Sequence, residues 1–440
     1  MNIYALSSGR GPSGIAIIRL TGEDSLKIAK LISKKKDLKH KETNFCKFYD
    51  PLNGNLIDEG LLLLFLGPNS YTGENLVEFH IHGGNAIIEL FLTVLSDQKN
   101  SRLAEPGEFT KLAFQNNKID LVEAEGIGDL INSETELQRK QAIKFAQGRA
   151  SNYYNNLREK LIKSLAYIEA KIDFAEDDLP DSILKKVQKS IKEVHSDIKR
   201  ILEDHKVGEK IRNGFIVSII GEVNAGKSSL LNLLSKREVA IVSTEEGTTR
   251  DIIEVYLNID GYPIILTDTA GIRNSKNDVE KKGILLAMKK SKDADLNIVL
   301  IDNSSSDVDI KVKNLINDNS IIVLNKSDVM NEKNHNFKEA ILISVKENKN
   351  IDQLIKKIKE RLSKKTTTSF DVLVTRARHR EKLKACLNEI DSFLKKDQNK
   401  NIEIAAEDLR LATRHLGAIV GKVDVEEILG SIFKDFCIGK

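Results

Sequence analysis

Cysteine is scarce: Cys46, Cys386 and Cys437 are the only three in 440 residues, far apart and without a CxxC pair. That excludes a disulfide framework and suits a reducing compartment. Long apolar runs are missing too, since the longest, "LLLLFL" and "FIVSII", are strand-sized beside the roughly 18 residues of a membrane span. The opening "MNIYALSSGR" lacks the basic-then-apolar pattern of a secretory signal. These absences predict a soluble, cytoplasmic chain with no membrane association. An excess of one charge is missing as well: 68 Lys and Arg against 65 Asp and Glu leave +3, so no global field draws a polyanion. Any nucleic-acid contact must be local, and lysine-rich stretches such as "SKKKDLKHK" read as solvated faces on charge alone. No internal repeat is visible.

What is present divides the chain. At roughly 100 to 200 residues per domain, its length predicts two to four domains. Residues 1–118 mix short β-rich runs ("GIAIIRL", "NLVEFHIHGG") with helical segments, an α+β pattern. Over 119–213 the texture turns to long, charge-laced, apolar-periodic stretches with almost no Pro or Gly, which predicts a helical bundle. Over 214–368 apolar strands ("FIVSII", "PIILTDT", "LNIVLID", "SIIVLNK") alternate with helices, predicting a doubly wound α/β domain. Helical periodicity returns over 369–440. The fold class expected is therefore multidomain α+β and α/β, with the α/β unit inserted into one discontinuous helical domain, or else flanked by two separate bundles.

Directly after "FIVSII" stands "GEVNAGKS" (221–228), a complete GxxxxGK[ST] loop leading into the helix "SLLNLLS". Such a loop curls backbone N–H groups around phosphates at a helix N-terminus, with Lys227 reaching the terminal phosphates and Ser228 able to ligate Mg2+. The candidate phosphate residues are Asn224, Ala225, Gly226, Lys227, Ser228 and Ser229. "EEGTTRD" (245–251) offers Thr249 as a second hydroxyl for magnesium. "DTAG" puts Asp268 at a strand end with Thr269, Ala270 and Gly271 beyond it, suited to sensing a γ-phosphate. In "NKSD", Asp328 can accept both the N1–H and the exocyclic amine of guanine, a pair adenine cannot present, framed by Asn325 and Lys326; Ser344, Val345 and Lys346 of "ISVKEN" can line the base. Their order predicts GTP rather than ATP. The glutamine that orients water in Ras-type GTPases is missing, its place taken by Ile272. Two candidates remain for organising attack: Glu280, and Asn224, whose amide oxygen could hold a monovalent cation beside the phosphates.

These motifs, with "YTGE", "HGG", "PGEFT" and the terminal "CIGK", closely resemble the tRNA modification GTPase MnmE (TrmE) family over the whole chain. The resemblance implies a folate-binding, dimerising N-terminal domain (1–118), a helical domain in two parts (119–213 and 369–440) and a Ras-like GTPase domain (214–368). It also implies a potassium-activated homodimer that works with the FAD-dependent partner MnmG (GidA) in a heterotetramer or larger complex. That complex modifies C5 of the wobble uridine of certain tRNAs, taking the one-carbon unit from 5-formyl- or 5,10-methylene-tetrahydrofolate. By the same resemblance, Asn224, Ser243, Glu245 and Thr248 match K+ ligands, within a GTP-binding stretch that includes Thr244, Glu246 and Gly247. Ser228 and Thr249 match Mg2+ ligands, Glu280 a glutamate acting through water, and Arg19, Glu78, Lys118 and Lys440 folate contacts. In one departure, Val223 stands where the family's P-loop commonly has proline, which loosens the backbone before Asn224.

Taken singly, several of these residues have plainer readings. A lone Arg in a strand or Lys in a loop is ordinarily surface charge. His80 and His82 share a strand face but lack a third metal ligand nearby. Cys437 lies three residues from the end, where a prenylation signal is excluded by Gly439 and Lys440; a chemical role and an incidental tail thiol both remain open. The rival function is an Era- or Der-like switch on ribosomal RNA. Der-like chains carry two P-loops and this one has a single P-loop. The KH module of Era-like chains needs a GxxG loop, whereas the close downstream pair here is Gly417 and Gly421, spaced GxxxG.

Overall fold

The computed structural model describes residues 1–173, 182–237, 239–241, 254–268, 291–305, 308, 310–329, 337, 339–366, 372–396, 402–423, 429, 432–433 and 436–439. It divides into two compact units, one of residues 1–128, 145–159 and 413–440, the other of residues 129–144 and 160–412.

In the first unit, β1 (Asn2–Leu6), β2 (Ser13–Thr21), β3 (Thr43–Tyr49), β4 (Leu56–Phe65), β5 (Leu76–Gly83) and β6 (Ser101–Leu103) form one sheet in the order β3-β4-β5-β2-β1-β6. Alternation along the central strands sorts their side chains between two faces. Ile18 and Leu20 of β2 and Val77, Phe79 and Ile81 of β5 are buried in one core with Ile28, Ala29 and Ile32 of α1 (Ser25–Ser33) and Ile88, Phe91, Val94 and Leu95 of α2 (Asn85–Ser96). Phe48, Phe79 and Phe91 make ring contacts at its centre, with centroids 4.9–5.7 Å apart. The intervening residues, Arg19, Glu78 and His80, are left for the opposite face, only partly buried. After α3 (Glu108–Gln115), α4 (Leu121–Ile131) opens with a reciprocal cap: Asp120 Oδ1 accepts from Glu123 N and Glu123 Oε2 accepts from Asp120 N, at 2.9 and 2.8 Å. In the second unit Thr135 and Gln138 cap the start of α5 (Glu136–Ala146) in the same way.

The long helices α6 (Arg149–Asp173) and α7 (Ser182–Leu202) precede the short α8 (Val207–Asn213). On α7 the buried residues Val187, Ile191, Val194, Ile198 and Ile201 recur at steps of four and three, the single stripe of an amphipathic helix. The second sheet contains β7 (Phe215–Gly221), β8 (Val239–Ile241), β9 (Glu254–Ile259), β10 (Tyr262–Asp268), β11 (Leu296–Asp302), β12 (Ser320–Asn325) and β13 (Ile341–Leu342), in the order β13-β12-β11-β7-β10-β9-β8. The four strands expected from apolar runs are mutually parallel at its centre. The antiparallel pair β8–β9 extends one edge, an addition that the three residues of β8 and the interleaved polar residues of β9 had not signalled. Around the sheet lie α9 (Lys227–Arg237), α10 (Ile310–Lys313) and α11 (Ile351–Thr366), the last inserting Ile351, Leu354, Ile358 and Leu362 into the core. The helices α12 (Ala377–Lys395) and α13 (Ile402–Val420) follow. From β7 the chain runs to β10 on one side and then to β11 on the other, so the topological switch lies between β7 and β11. Open α/β sheets bind ligands at such a switch, beyond the carboxyl ends of the strands. Among the described residues no helix is long and apolar enough to cross a membrane.

Candidate functional site

The P-loop leaves β7 at that switch point. Asn224 has φ +63°, a left-handed conformation that asparagine tolerates better than most residues, and it is exposed. Gly226, at φ +99°, has no room for a side chain: an added Cβ would sit 2.4 Å from Asn325 Nδ2. The Lys227 ammonium, largely buried, donates to the carbonyls of Gly221 at 2.9 Å and Glu222 at 2.6 Å, drawing the loop over itself. Ser228 and Ser229 are exposed in the first turn of α9. The loop thus sets the first turn of α9, with its exposed serines and backbone amides, beside a largely buried cation. This is the donor set a polyphosphate requires.

The base-reading end is tied to that loop by Asn325. Buried at the end of β12, it donates from Nδ2 to the Ala225 carbonyl at 2.8 Å and accepts at Oδ1 from Val345 N at 3.1 Å. Lys326, at φ +67°, reaches Asp302 Oδ2 at 2.5 Å. Burial pushes the Asp302 carboxyl up, but Lys326 and the Ser304 hydroxyl and amide outweigh it and hold it below the ordinary range. Asp328 accepts from the buried Ser344 hydroxyl at 2.6 Å. That bond is the main cause of its lowered pKa, helped by Asp328's own backbone N–H and by Lys346 and Lys326. The carboxylate is therefore oriented and ionised before any base arrives. Asp302 escaped the reading from sequence, although its place at the end of the apolar run "LNIVLID" was a signal.

Asp268 closes β10, where only its backbone is described. Ser243, Thr244, Glu245, Glu246, Gly247, Thr248 and Thr249, together with Thr269, Ala270, Gly271, Ile272 and Glu280, lie outside the described residues, as does Lys440.

In the first unit, register places Arg19 of β2 opposite Glu78 of β5. The Arg19 Nε donates to Glu78 Oε1 at 2.8 Å, and its guanidinium carbon lies 5.9 Å from the centre of the Tyr71 ring. His80 Nε2 is 3.5 Å from Glu78 Oε2 and has no hydrogen-bond partner, an orphaned buried atom on this face. Lys118 is exposed, its ammonium donating to the Pro68 carbonyl at 2.8 Å. The chain end packs beside Arg19. Gly107 N donates to the Cys437 carbonyl at 3.3 Å, Ile438 bridges to Pro106, and the Gly439 carbonyl accepts from Ser7 Oγ at 2.9 Å and Arg19 Nη1 at 3.5 Å. Cys437 is exposed, whereas Cys46 and Cys386 are buried. His82 pairs with Asp58 at 2.8 Å, so the two histidines serve different carboxylates. Among the described residues no group of three His, Cys, Asp or Glu is placed to hold a metal ion.

A doubly wound sheet with a phosphate loop at its switch point and an oriented carboxylate two strands away defines a P-loop GTPase domain. Its setting is equally specific. Residues 2–118 match the family profile described as GTP-binding protein TrmE N-terminus, and residues 121–437 match the MnmE helical domain. The chain is 56% identical over 446 residues to the tRNA modification GTPase MnmE of Pelagibacter ubique (strain HTCC1062), covering 100% of both. It is 43% identical over 445 residues to that of Rickettsia bellii (strain RML369-C), covering 100% of this chain and 99% of the relative. The chain belongs to the MnmE family of tRNA modification GTPases. Among solved structures, a point variant of Aquifex aeolicus Era bound to GDP.AlF4- is 25% identical and covers 41% of this chain and 68% of its own, at a TM-score of 0.28.

Proposed function

We propose that this chain is a potassium-activated GTPase that couples nucleotide hydrolysis to modification at C5 of the wobble uridine of certain tRNAs. It acts as a cytoplasmic homodimer with the FAD-dependent partner MnmG (GidA) in a heterotetramer or larger complex. Its domains are 1–118 for folate binding and dimerisation, 119–213 with 369–440 as the helical domain, and 214–368 for GTP. The observation that carries this reading is the Asn325 tether, which binds the Lys227 loop and the Asp328–Ser344 pair into one guanine-nucleotide site within a chain of this family.

In that site Asn224 through Ser229 hold the phosphates, Asp328 takes the guanine edge, and Asn325, Lys326 and Ser344 through Lys346 frame the base. Ser228 and Thr249 hold Mg2+, while Asn224, Ser243, Glu245 and Thr248 hold K+. The exposed Ser228 hydroxyl and the exposed, left-handed Asn224 suit these roles. The two cations supply positive charge where phosphate charge builds, the part an arginine finger plays elsewhere. Glu280 orients the attacking water, because Ile272 cannot. With the site dependent on an ordered switch region, GTP and K+ drive approach of the two GTPase domains of the dimer.

The polar sheet face suits a tetrahydrofolate derivative. The Glu78 carboxylate accepts from the pterin amide and amine, the cations Arg19, Lys118 and Lys440 meet carboxylates, and the orphaned His80 Nε2 points to a polar guest on this face. When bound, the folate supplies the one-carbon unit.

GTP turnover should be faster in potassium than in sodium salts at equal ionic strength; equal rates would sink the cation assignment. Mass spectrometry of tRNA nucleosides from cells with and without the chain tests the modification itself, and unchanged wobble uridines would refute it.

A further inference from the structure

The Gly439 carbonyl is bound twice, by Ser7 Oγ at 2.9 Å and by the same Arg19 guanidinium that pairs with Glu78. Gly439 has φ +94°, and an added Cβ would lie 2.4 Å from the Leu6 carbonyl, so the tail approaches the end of β1 as closely as backbone allows. Ser7 is itself fixed: its amide donates to the Ile17 carbonyl at 2.7 Å, while the neighbouring Ser8 hydroxyl is engaged by Ile17 N at 3.2 Å. We propose that Ser7 is a positioning residue that latches the chain end onto the Arg19–Glu78 pair, so that tail docking and presentation of the Glu78 carboxylate form one coupled unit.

The physical basis is the sharing of one guanidinium. Its planar fork is oriented by both acceptors and by the Tyr71 ring, so a tail that leaves removes one of the contacts fixing Arg19 and loosens the partner of Glu78. Ser7 holds the tail by a bond that does not draw on Arg19, which keeps the carbonyl in place while Nε stays on Glu78. The inference rests on the folate reading only for its consequence in binding; the latch itself is a contact within this chain.

The test uses the full-length protein and release of Lys440 by carboxypeptidase B, followed by intact mass. Ser7→Ala should release Lys440 several-fold faster than the parent, while Ser7→Thr and the neighbouring Ser8→Ala should behave like the parent. Affinity for 5-formyl-tetrahydrofolate should fall about fivefold in Ser7→Ala, the loss of one neutral hydrogen bond, with GTP turnover unchanged. Gly439→Ala, whose added methyl is driven against the Leu6 carbonyl and so lifts the tail, should show the same fast release even if Ser7→Ala folds poorly. Release at the parent rate in both variants would overturn the latch. Fast release in a protein that binds no folate at all would keep the latch and refute the folate reading instead.

Discussion

Asp328→Asn is expected to lower GTP affinity by roughly 10²–10³-fold and to raise affinity for XTP. Guanine presents two donors to this position, N1–H and the exocyclic amine, and a carboxylate can accept both. Replacing one oxygen by an amide NH2 sets donor against donor, and the loss of charge-assisted bonds at about 3–4 kcal/mol gives the stated factor. Xanthine carries a carbonyl where guanine carries the amine, so the amide of asparagine can accept from N1–H and donate to that carbonyl. The surroundings favour a clean exchange, because Ser344 Oγ donates to Asp328 Oδ1 at 2.6 Å and an amide oxygen can take the same bond. Competition between the two nucleotides, measured on parent and variant, decides the point: a variant that loses both has lost its loop, and one that keeps GTP shows that Asp328 does not read the base. The lowered pKa adds a pH signature. A carboxyl held below the ordinary range stays ionised through mildly acid solution, so GTP affinity in the parent should remain flat as pH falls and weaken only where Asp328 protonates.

The reach of sequence reasoning differs between the two sites for a physical reason. The P-loop is a contiguous motif whose spacing is its mechanism, so Gly226, Lys227 and Ser228 could be assigned before the strand and helix around them were known. Asn325, Lys326 and Asp328 were legible for the same reason, in a loop following an apolar strand. What could not be read was how these loops are joined. Asn325 reaches Ala225 across 100 residues, and Lys326 takes Asp302 as its partner across 24, contacts set by strand order.

The polar sheet face was still less legible. Arg19 and Glu78 stand 59 residues apart, and only the antiparallel register of β2 and β5 brings them together. In sequence each is one charged residue in an apolar run, and family resemblance alone singled them out. Ser7 carried no signal at all, since the first serine of "SSGRG" resembles any turn residue, and its partner lies 432 residues away. The multidomain α+β and α/β class was readable from periodicity, whereas β8 and β9 were not, because β8 is only three residues long and β9 interleaves polar with apolar residues, so neither shows the continuous apolar run of a buried parallel strand.

Cys437→Ser is expected to abolish wobble-uridine modification while leaving GTP turnover at the parent rate. The chain has three cysteines, and burial removes two from chemistry: it raises the pKa of Cys46 and, far more strongly, that of Cys386. Cys437 is the exposed one, held in place through its backbone because Gly107 N donates to its carbonyl and Ile438 bridges to Pro106. Serine keeps that backbone bond and nearly the same shape, so the tail should stay docked and Lys440 should resist carboxypeptidase as in the parent. Only the thiol changes, to a hydroxyl that scarcely ionises near neutral pH and is a far weaker nucleophile. The variant thus separates chemistry from docking, which Ser7→Ala perturbs in the opposite sense by loosening the tail while sparing the thiol. Lost modification with a protected chain end would assign the thiol to the reaction. Normal modification with a protected chain end would make Cys437 a packing residue and leave the docked backbone, with Arg19 and Glu78, as the working part of the tail.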